Sequence, residues 1–442
     1  MTNFDRFRDI RLSENISTVA IPARDKEYQT LEHEDHENGS WNNIRSNTSI
    51  SPEIIVAGAL AVDYSCDFNP LPGSNANPSP TLYTSNPAAI TQSLGGVGHN
   101  VALAAHLLGR RVSLCSLVGD DLPGKTAIQH VKSEGMDASH IHIETKAAKS
   151  RTAKYVAMND AKKDLVLGMA DMGILEAVSP TIQHKWKEFI RQSKAKWFIA
   201  DANLVPNTLN ELLRSAKSAQ LRTAFEPVST AKAARVFNSV SSSALQVYPD
   251  HLIDLATPNA LELASMHSAA RSSGLLDRNN WWGVVDALGI PSSGIRPRLV
   301  QLTSAELVNQ GVPQQCIQLL PFIPNIITKL GPKGVLLTML LGKDDERLRK
   351  VEDDDFILSR STLEDSDSMV GGIYMRQFPT TEIPYNKIVS VNGVGDTFLG
   401  ALVSELVDSG KFIEETVDFA QGAAAMTLCS TEAVNPELRS LV

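Results

Sequence analysis

From Ile54 onward the chain alternates short apolar runs with longer amphipathic ones. Ile54–Val62 is almost unbroken apolar sequence and reads as a buried strand. The same pairing of a short apolar run with an amphipathic one then recurs: Val112–Val118 with Thr126–Glu134, Trp197–Ala200 with Val205–Lys217, Leu221–Phe225 with Thr230–Val240. Ile253–Thr257 with Glu262–Ala270 and Ile326–Thr328 with Val335–Leu341 continue it. In each pair the first run predicts a strand and the second a helix. Such alternation predicts an α/β fold with a parallel sheet covered by helices on both faces. Right-handed crossovers then gather the strand-end loops on one edge, where ligands bind. Val101–Leu108 has helical character, and the Met- and Tyr-containing runs at 152–160 and 165–172 interrupt the alternation. Asn69–Pro87, rich in Pro, Asn and Ser, reads as a surface loop.

Residues 1–50 are polar, with Glu-His-Glu-Asp-His-Glu at 32–37, and read as a disordered, linker-like extension. Residues 51–442 read as one domain. Two insertions stand out within it, 271–315 and 342–380. The second contains Glu352-Asp353-Asp354-Asp355, which without metal-ligand spacing reads as a solvated loop. Hydrophobic residues make up 43% of the 442 and charged ones 21%, as in ordinary globular proteins. The net charge of −9 disfavours nucleic acid and acidic membranes as partners. No apolar run reaches the roughly 18 residues of a membrane span, and the N-terminus lacks the apolar core of a signal peptide, so a cytoplasmic location is expected. The four cysteines, Cys66, Cys115, Cys316 and Cys429, show no ligand spacing and read as reduced thiols.

The richest chemistry lies at Gly393-Val394-Gly395-Asp396. A β-prone run, Lys387–Val391, stops at two close glycines, and a helical segment follows. Glycines expose backbone N–H groups, and a helix start adds unpaired donors and partial positive charge, so the turn suits an anion. An acid there makes sense as a base that takes a proton from a nucleophile beside the anion, which points to phosphoryl transfer to an alcohol. Gly95-Gly96-Val97-Gly98-His99-Asn100, ahead of the Val101–Leu108 helix, forms a second signature.

Together these two stretches resemble the ribokinase-like (PfkB) carbohydrate and nucleoside kinases, and the resemblance runs from about Ile54 to the C-terminus. It implies Asp396 as general base, with the N–H groups of Gly393, Val394 and Gly395 holding the transferring phosphoryl group. It also implies Asp63, Gly96 and Asn100 as substrate contacts, ATP as donor, and Mg²⁺ positioned by Asn259 and Glu262 of an Asn-x-x-Glu motif, with Glu262 acting through water because this ion keeps much of its water shell. Thr328-Lys329-Leu330-Gly331-Pro332-Lys333-Gly334 resembles the family's nucleotide loop through Thr328, Gly331 and Gly334, with a spacing change at Leu330 and with Lys329 or Lys333 available to phosphate. Gly422–Asn435 resembles the adenine-side helix and loop, ending at Asn435. Family members carry a small β-sheet lid, here expected within 61–92 and 145–172, through which a homodimer is expected. Ser390 stands where many relatives have an Asp of a monovalent-cation site, which speaks against potassium activation, and Glu226 replaces a more usual Asp.

Arg151–Met158, Met169–Met172, Asp201–Asn203 and Phe225–Ser229 resemble the pseudouridine kinase branch, with Asp171 and Asn203 as further substrate contacts. The alternatives are a ribokinase- or adenosine-kinase-like enzyme and a non-catalytic binding protein of the same fold. Gly119–Thr126 matches the P-loop pattern G-x-x-x-x-G-K-T letter for letter. Pro123 removes a donor there and Asp120 and Asp121 would repel phosphates, so that reading is rejected.

Overall fold

In the computed structural model, residues 51–442 are described except 71–78, 146–149, 162, 164, 239–244, 292, 362–368, 381 and 409. The extension 1–50 and parts of the 69–87 and 342–380 segments therefore lie outside the described residues. The strands, in chain order, are β1 (Ile54–Ala57), β2 (Ala61–Phe68), β3 (Ala88–Gly95), β4 (Val112–Gly119), β5 (Ile141–Glu144), β6 (Ala153–Asn159) and β7 (Leu165–Asp171). They continue as β8 (Trp197–Asp201), β9 (Arg222–Glu226), β10 (Leu255–Ala256), β11 (Asn325–Lys329), β12 (Val335–Gly342), β13 (Ile357–Arg360) and β14 (Val370–Phe378). The helices that shape the site are α1 (Val97–Leu107), α2 (Leu122–Ser133), α3 (Ala260–Ser272), α4 (Val394–Leu406) and α5 (Ile413–Leu428).

Ten strands form one sheet in the order β13-β14-β12-β11-β10-β9-β8-β1-β4-β5, parallel from β11 to β5. Four more, β3-β2-β6-β7, form a smaller sheet. The large sheet is buried on both faces, which explains why its strands read as continuous apolar runs. Ile55, Phe198 and Phe225 enter one core, and Ile54, Val56, Trp197 and Ile199 the other. The segment 271–315 folds into short helices whose Trp281, Leu299 and Leu307 join the first core. Trp281 also donates from its indole N–H to the Gln318 carbonyl at 2.9 Å, so this insertion covers a sheet face.

Three sequence expectations are corrected. Ile54–Val62 is two strands in two sheets, because the chain breaks at Gly58. A Cβ at Gly58 would lie 2.2 Å from Oδ2 of Asp201, and the next N–H, of Ala59, donates to that oxygen at 2.8 Å. Val335–Leu341 is a strand, antiparallel to β11, where a helix was expected. The turn from Leu330 to Gly334 is too short for a crossover, since a parallel return needs a dozen or more residues. All seven residues are buried, a two-sided demand that a surface helix does not meet. Lys387–Val391 is not a strand: Tyr385–Lys387 forms one 3₁₀ turn and the rest is irregular. The N–H groups of Val389 and Ser390 both bond the Leu428 carbonyl rather than a sheet neighbour. The carboxylate run at 352–355 lies in a short 3₁₀ helix, and β13 and β14 follow it in the described part of that insertion.

Candidate active site

Helix α4 begins at Gly393, whose φ of +71° is left-handed. A Cβ there would stand 1.8 Å from the Ala433 carbonyl oxygen, so only glycine fits. No side chain caps this turn, which leaves its first N–H groups for an anion. Asp396 follows in the first turn, and its Oδ2 accepts a 2.8 Å hydrogen bond from Nδ2 of Asn100 in the first turn of α1. The two helices approach closely because Gly400 faces Val101 and Ala104, where a Cβ would meet the Val101 carbonyl at 2.6 Å. Burial pushes the Asp396 carboxyl up to about 6, with Asp201 and Glu262 adding to the rise and Asn100 and Lys329 opposing it. That value suits a group that must hold a proton briefly near neutral pH.

The C-terminal edge of the parallel sheet supplies the opposite wall. Asp201 ends β8, Glu226 ends β9, Thr257 follows β10 and Lys329 ends β11. Lys329 Nζ lies 3.0 Å from where a Gly395 Cβ would be, so the ammonium sits over the glycine turn. It pairs with Glu226 Oε1 at 2.9 Å, and Thr257 donates to Glu226 Oε2 at 2.5 Å. Burial lifts Glu226 to about 7, helped by Glu262 and Asp396 and opposed by Lys329. Burial alone would lower Lys329, but Glu226, Glu262 and Asp396 hold its ammonium above the ordinary value. Of the two candidate lysines, Lys329 thus enters the site, while Lys333 pairs with Glu306 at the surface, 2.6 Å away.

Thr328 is not brought to the site. Its side chain is fully buried, 3.3 Å from Cys316 Sγ, because neighbours on a strand point to opposite faces. The loop is therefore framed as Lys329-Leu330-Gly331, and the spacing change inferred at Leu330 disappears. Gly331 and Gly334 shape the turn, and a Cβ at Gly334 would lie 1.9 Å from the Phe378 carbonyl.

Asn259 and Glu262 form a reciprocal cap on α3. Asn259 Oδ1 accepts from the N–H groups of Leu261 and Glu262, each at 2.9 Å, and Glu262 Oε2 accepts from the Asn259 N–H at 2.8 Å. The cap sits against the end of β11, where Asn259 bridges to Lys329, so the buried Glu262 carboxylate bears on Lys329, Glu226 and Asp396. Excess carboxylate oxygen at one point suits a hard divalent cation. Among the described residues no group of three metal-capable side chains gathers.

Asp63 lies on β2, in register with Ser93 on β3 and Tyr155 on β6. Gly95 makes room for its carboxylate: a Cβ there would be 2.0 Å from Asp63 Oδ2. Burial raises Asp63 to about 6, and the Asp396 charge adds to the rise, so the two acids face one cleft. Ser93 and Tyr155 of this row were not among the residues that motif reading named; burial and the Asp63 charge raise the Tyr155 hydroxyl, and the sequence signal for both is the strand register. Asp171 is placed elsewhere. It pairs in register with Lys154, and Lys154 with Val62, which puts it on the opposite face of the small sheet from Asp63. There it pairs with Arg151 at 2.9 Å.

Asn203 is buried, with Oδ1 accepting from Lys232 Nζ at 2.6 Å and its N–H donating to Asp201 at 2.8 Å. Gly96 admits the chain's own backbone, since a Cβ would stand 2.6 Å from the Ala59 carbonyl. Asn435 caps the last 3₁₀ helix and donates to the Met426 carbonyl at 2.8 Å. The P-loop look-alike is closed: Asp121 accepts from the Gly124 N–H at 2.9 Å, Thr152 takes the Gly119 N–H at 3.0 Å, and Lys125 pairs with Asp120.

Residues 69–281 and 373–439 match the model of the pfkB family carbohydrate kinases. The chain belongs to this family. A pseudouridine-metabolizing bifunctional protein of Schizosaccharomyces pombe is 30% identical over 402 residues, 90% of this chain and 49% of that protein. A pseudouridine kinase of Escherichia coli is 28% identical over 188 residues, covering 42% of this chain and 55% of that one. The chain thus spans about half the length of these curated relatives. Among solved structures, ribokinase from Giardia lamblia aligns with a TM-score of 0.55 at 15% identity, over 88% of this chain and 98% of that one. Arabidopsis thaliana ribokinase, solved with ribose and ATP, gives 0.53 at 16%, over 89% and 98%. These likenesses show the ribokinase-like fold.

Proposed function

We propose that the chain is an ATP-dependent phosphotransferase acting on a ribosyl hydroxyl, the 5′-hydroxyl of pseudouridine. The observation that carries this is the joint placement of Asp396, Asn100 and Lys329 around one uncapped glycine turn. Asp396 takes the proton of the acceptor hydroxyl as its oxygen attacks the γ-phosphorus. The N–H groups of Gly393, Val394 and Gly395 hold the transferring phosphoryl group, and the bond to the departing ADP oxygen breaks. Lys329 shifts its ammonium from Glu226 toward the phosphoryl oxygens. Mg²⁺, when bound near Glu262 and Glu226, would neutralise phosphate charge.

Asp63 and the free Oδ1 of Asn100, buried without a partner, accept from vicinal ribose hydroxyls. The S. pombe and E. coli relatives supply the reason to name pseudouridine. Pseudouridine has an extra ring N–H that uridine lacks, and a site that bonds it rejects uridine strongly. The polar face of the small sheet offers the groups: Tyr155 beside Asp63, and Ser65 one pair further along β2. Ser65 belongs to a network in which Asn159 donates to Ser65 Oγ at 3.0 Å and to Asp67 at 2.7 Å. Measured kcat/KM for pseudouridine, uridine, adenosine and ribose with Mg-ATP tests the reading. Pseudouridine should lead; a tenfold lead by ribose or adenosine overturns the substrate, and no turnover of any by folded protein overturns the kinase.

Beyond the row of Val62, Lys154 and Asp171, the opposite face of the small sheet is mostly apolar. Ile90, Cys66, Met158 and Leu167 form one cross-strand row, with Tyr64, Val156 and Met169 in the next, and Ile90, Leu167 and Met169 are more than half exposed. This supports a homodimer through the lid. Sedimentation of Leu167→Glu should then show monomers where the parent chain shows dimers.

A further inference from the structure

β1 belongs to the large sheet and β2 to the small one, and Gly58, Ala59 and Leu60 are the whole link between them. This link is the root of the strand that carries Asp63. Its first two residues have every backbone polar group taken. Gly58 donates its N–H to the Cys115 carbonyl at 3.1 Å, and its own carbonyl accepts from Ser116 Oγ at 2.7 Å. The Ala59 carbonyl accepts from the His99 N–H at 2.9 Å, and the Ala59 N–H donates to Asp201 Oδ2 at 2.8 Å. Ala59 thus joins the first turn of α1, the end of β8 and the entry to the small sheet.

The packing around the link is as close as its bonding. A Cβ at Gly96 would lie 2.6 Å from the Ala59 carbonyl oxygen, and one at Gly98 would lie 2.8 Å from Gly58. On the other side, the three atoms nearest a Cβ at Gly58 all belong to the Asp201 carboxylate. Asp201 is 1% exposed, and its Oδ1 accepts from the Asn203 N–H at 2.8 Å. Burial pushes this carboxyl up, and the Ala59 and Asn203 donors and the Lys232 ammonium oppose the rise. Burying an acid is costly. What the acid provides here is an acceptor on each oxygen, where an amide of the same shape has one. It therefore holds Ala59 and Asn203 together.

We propose that Asp201 is a positioning residue for the nucleoside site: it pins Ala59 to the end of β8 and so sets where the small sheet, with Asp63, stands over the glycine turn. It acts through Ala59 and not on the substrate. Small misplacements of a bound reactant cost much rate, so the way this link is held bears directly on the cleft. The effect on the nucleoside rests on the kinase reading; the tether itself does not.

Two variants break the tether in different ways. Asp201→Asn keeps the shape but turns an amide N–H₂ toward one of the two N–H groups. Gly58→Ala keeps the acid but pushes its carboxylate aside. With pseudouridine and Mg-ATP, each should raise the pseudouridine KM about tenfold or more, as loss of a charge-assisted hydrogen bond does, and change the ATP KM less than about twofold. Hydrogen exchange should quicken in β2 and β3 and stay unchanged in β12, far along the large sheet. Melting curves confirm that the variants fold, and the isosteric Asp201→Asn decides alone where Gly58→Ala does not. An equal rise in both KM values overturns the proposal, since general loosening of the fold would produce it. So does unchanged exchange in β2 and β3 of folded Asp201→Asn. Exchange needs no turnover, so failure of the kinase reading leaves that result standing.

Discussion

Asn100 and Asp396, 296 residues apart in sequence, are joined by a 2.8 Å hydrogen bond from the amide to the carboxylate. The bond fixes which Asp396 oxygen remains for a substrate proton. It also ties the first turn of α1 to the first turn of α4, so the two sequence signatures become one constellation. Gly400 lets those helices seat closely, and Gly98 lets α1 seat on the turn between β1 and β2, where a Cβ at Gly98 would meet Gly58 at 2.8 Å.

Asp396→Asn should lower kcat at least about a hundredfold, the low end for a positioned base. It should also stabilise the fold at high pH. The folded carboxyl is raised from 3.8 to about 6, so the folded state binds the proton more tightly than the unfolded chain. Stability from this group is therefore present at low pH and is lost as pH rises from about 4 to about 6. Removing the charge should recover about 1–3 kcal/mol at pH 8, with little gain at pH 4. Thermal melts at the two pH values check this, and a loss of stability at pH 8 would count against a strained buried charge.

The pH profile follows from the same groups. Asp63 and Asp396 both sit at about 6, and each charge raises or feels the other across the cleft. The profile therefore reports both acids together rather than one residue. Log kcat/KM should rise with pH below about 6 and level off above it. An acid limb centred near 4 would show that neither burial nor pairing perturbs the acids in solution.

The two faces of the small sheet separate two acids that a motif search groups together. Asp63→Asn should raise the nucleoside KM at least tenfold, because it removes a charged acceptor from a buried site. Asp171→Asn should change KM less than twofold, since Asp171 shares its face with Lys154 and Val62 and its pair with Arg151 is exposed. Steady-state kinetics on both variants decide it. Equal effects would mean that the lid rearranges on closing.

Much of this architecture was legible in the sequence because two-sided burial writes itself as apolar runs. β4, β8 and β9 overlap the runs that predict them and each extends one residue past the run's C-terminal end. Residues 152–160 and 165–172 become β6 and β7. Legibility ended where one local pattern serves two structures. Val335–Leu341 is equally apolar as a helix or a strand, and only the short turn before it decides. The Ile54–Val62 run hides a change of sheet because Gly58 and Asp201 meet only in three dimensions. Within the site, Asp396 and Asn100 carried local glycine signatures. Lys329 could not be told from Lys333 by spacing, since what separates them is which face of the β11 end they leave from. Thr328 was misplaced for the same reason, by one residue of strand period.

Lys329 and Glu226 give the sharpest test of the site's electrostatics. The ammonium compensates three carboxylates, of which Glu226 is fully enclosed and already lifted to about 7. Lys329→Met should therefore destabilise the fold by about 3 kcal/mol, the low end for breaking a buried pair, because an uncompensated acid remains. It should also cut kcat/KM about a hundredfold or more, as loss of a transition-state charge partner does. Adding Glu226→Gln removes the orphaned acid, so the double variant should regain most of the melting temperature. It should regain none of the activity, because the phosphoryl group still lacks its ammonium. Denaturation curves and kinetics on the two single variants and the double variant form the cycle. Recovery of activity along with stability would make Lys329 a structural counter-ion alone and return the phosphoryl group to the backbone turn.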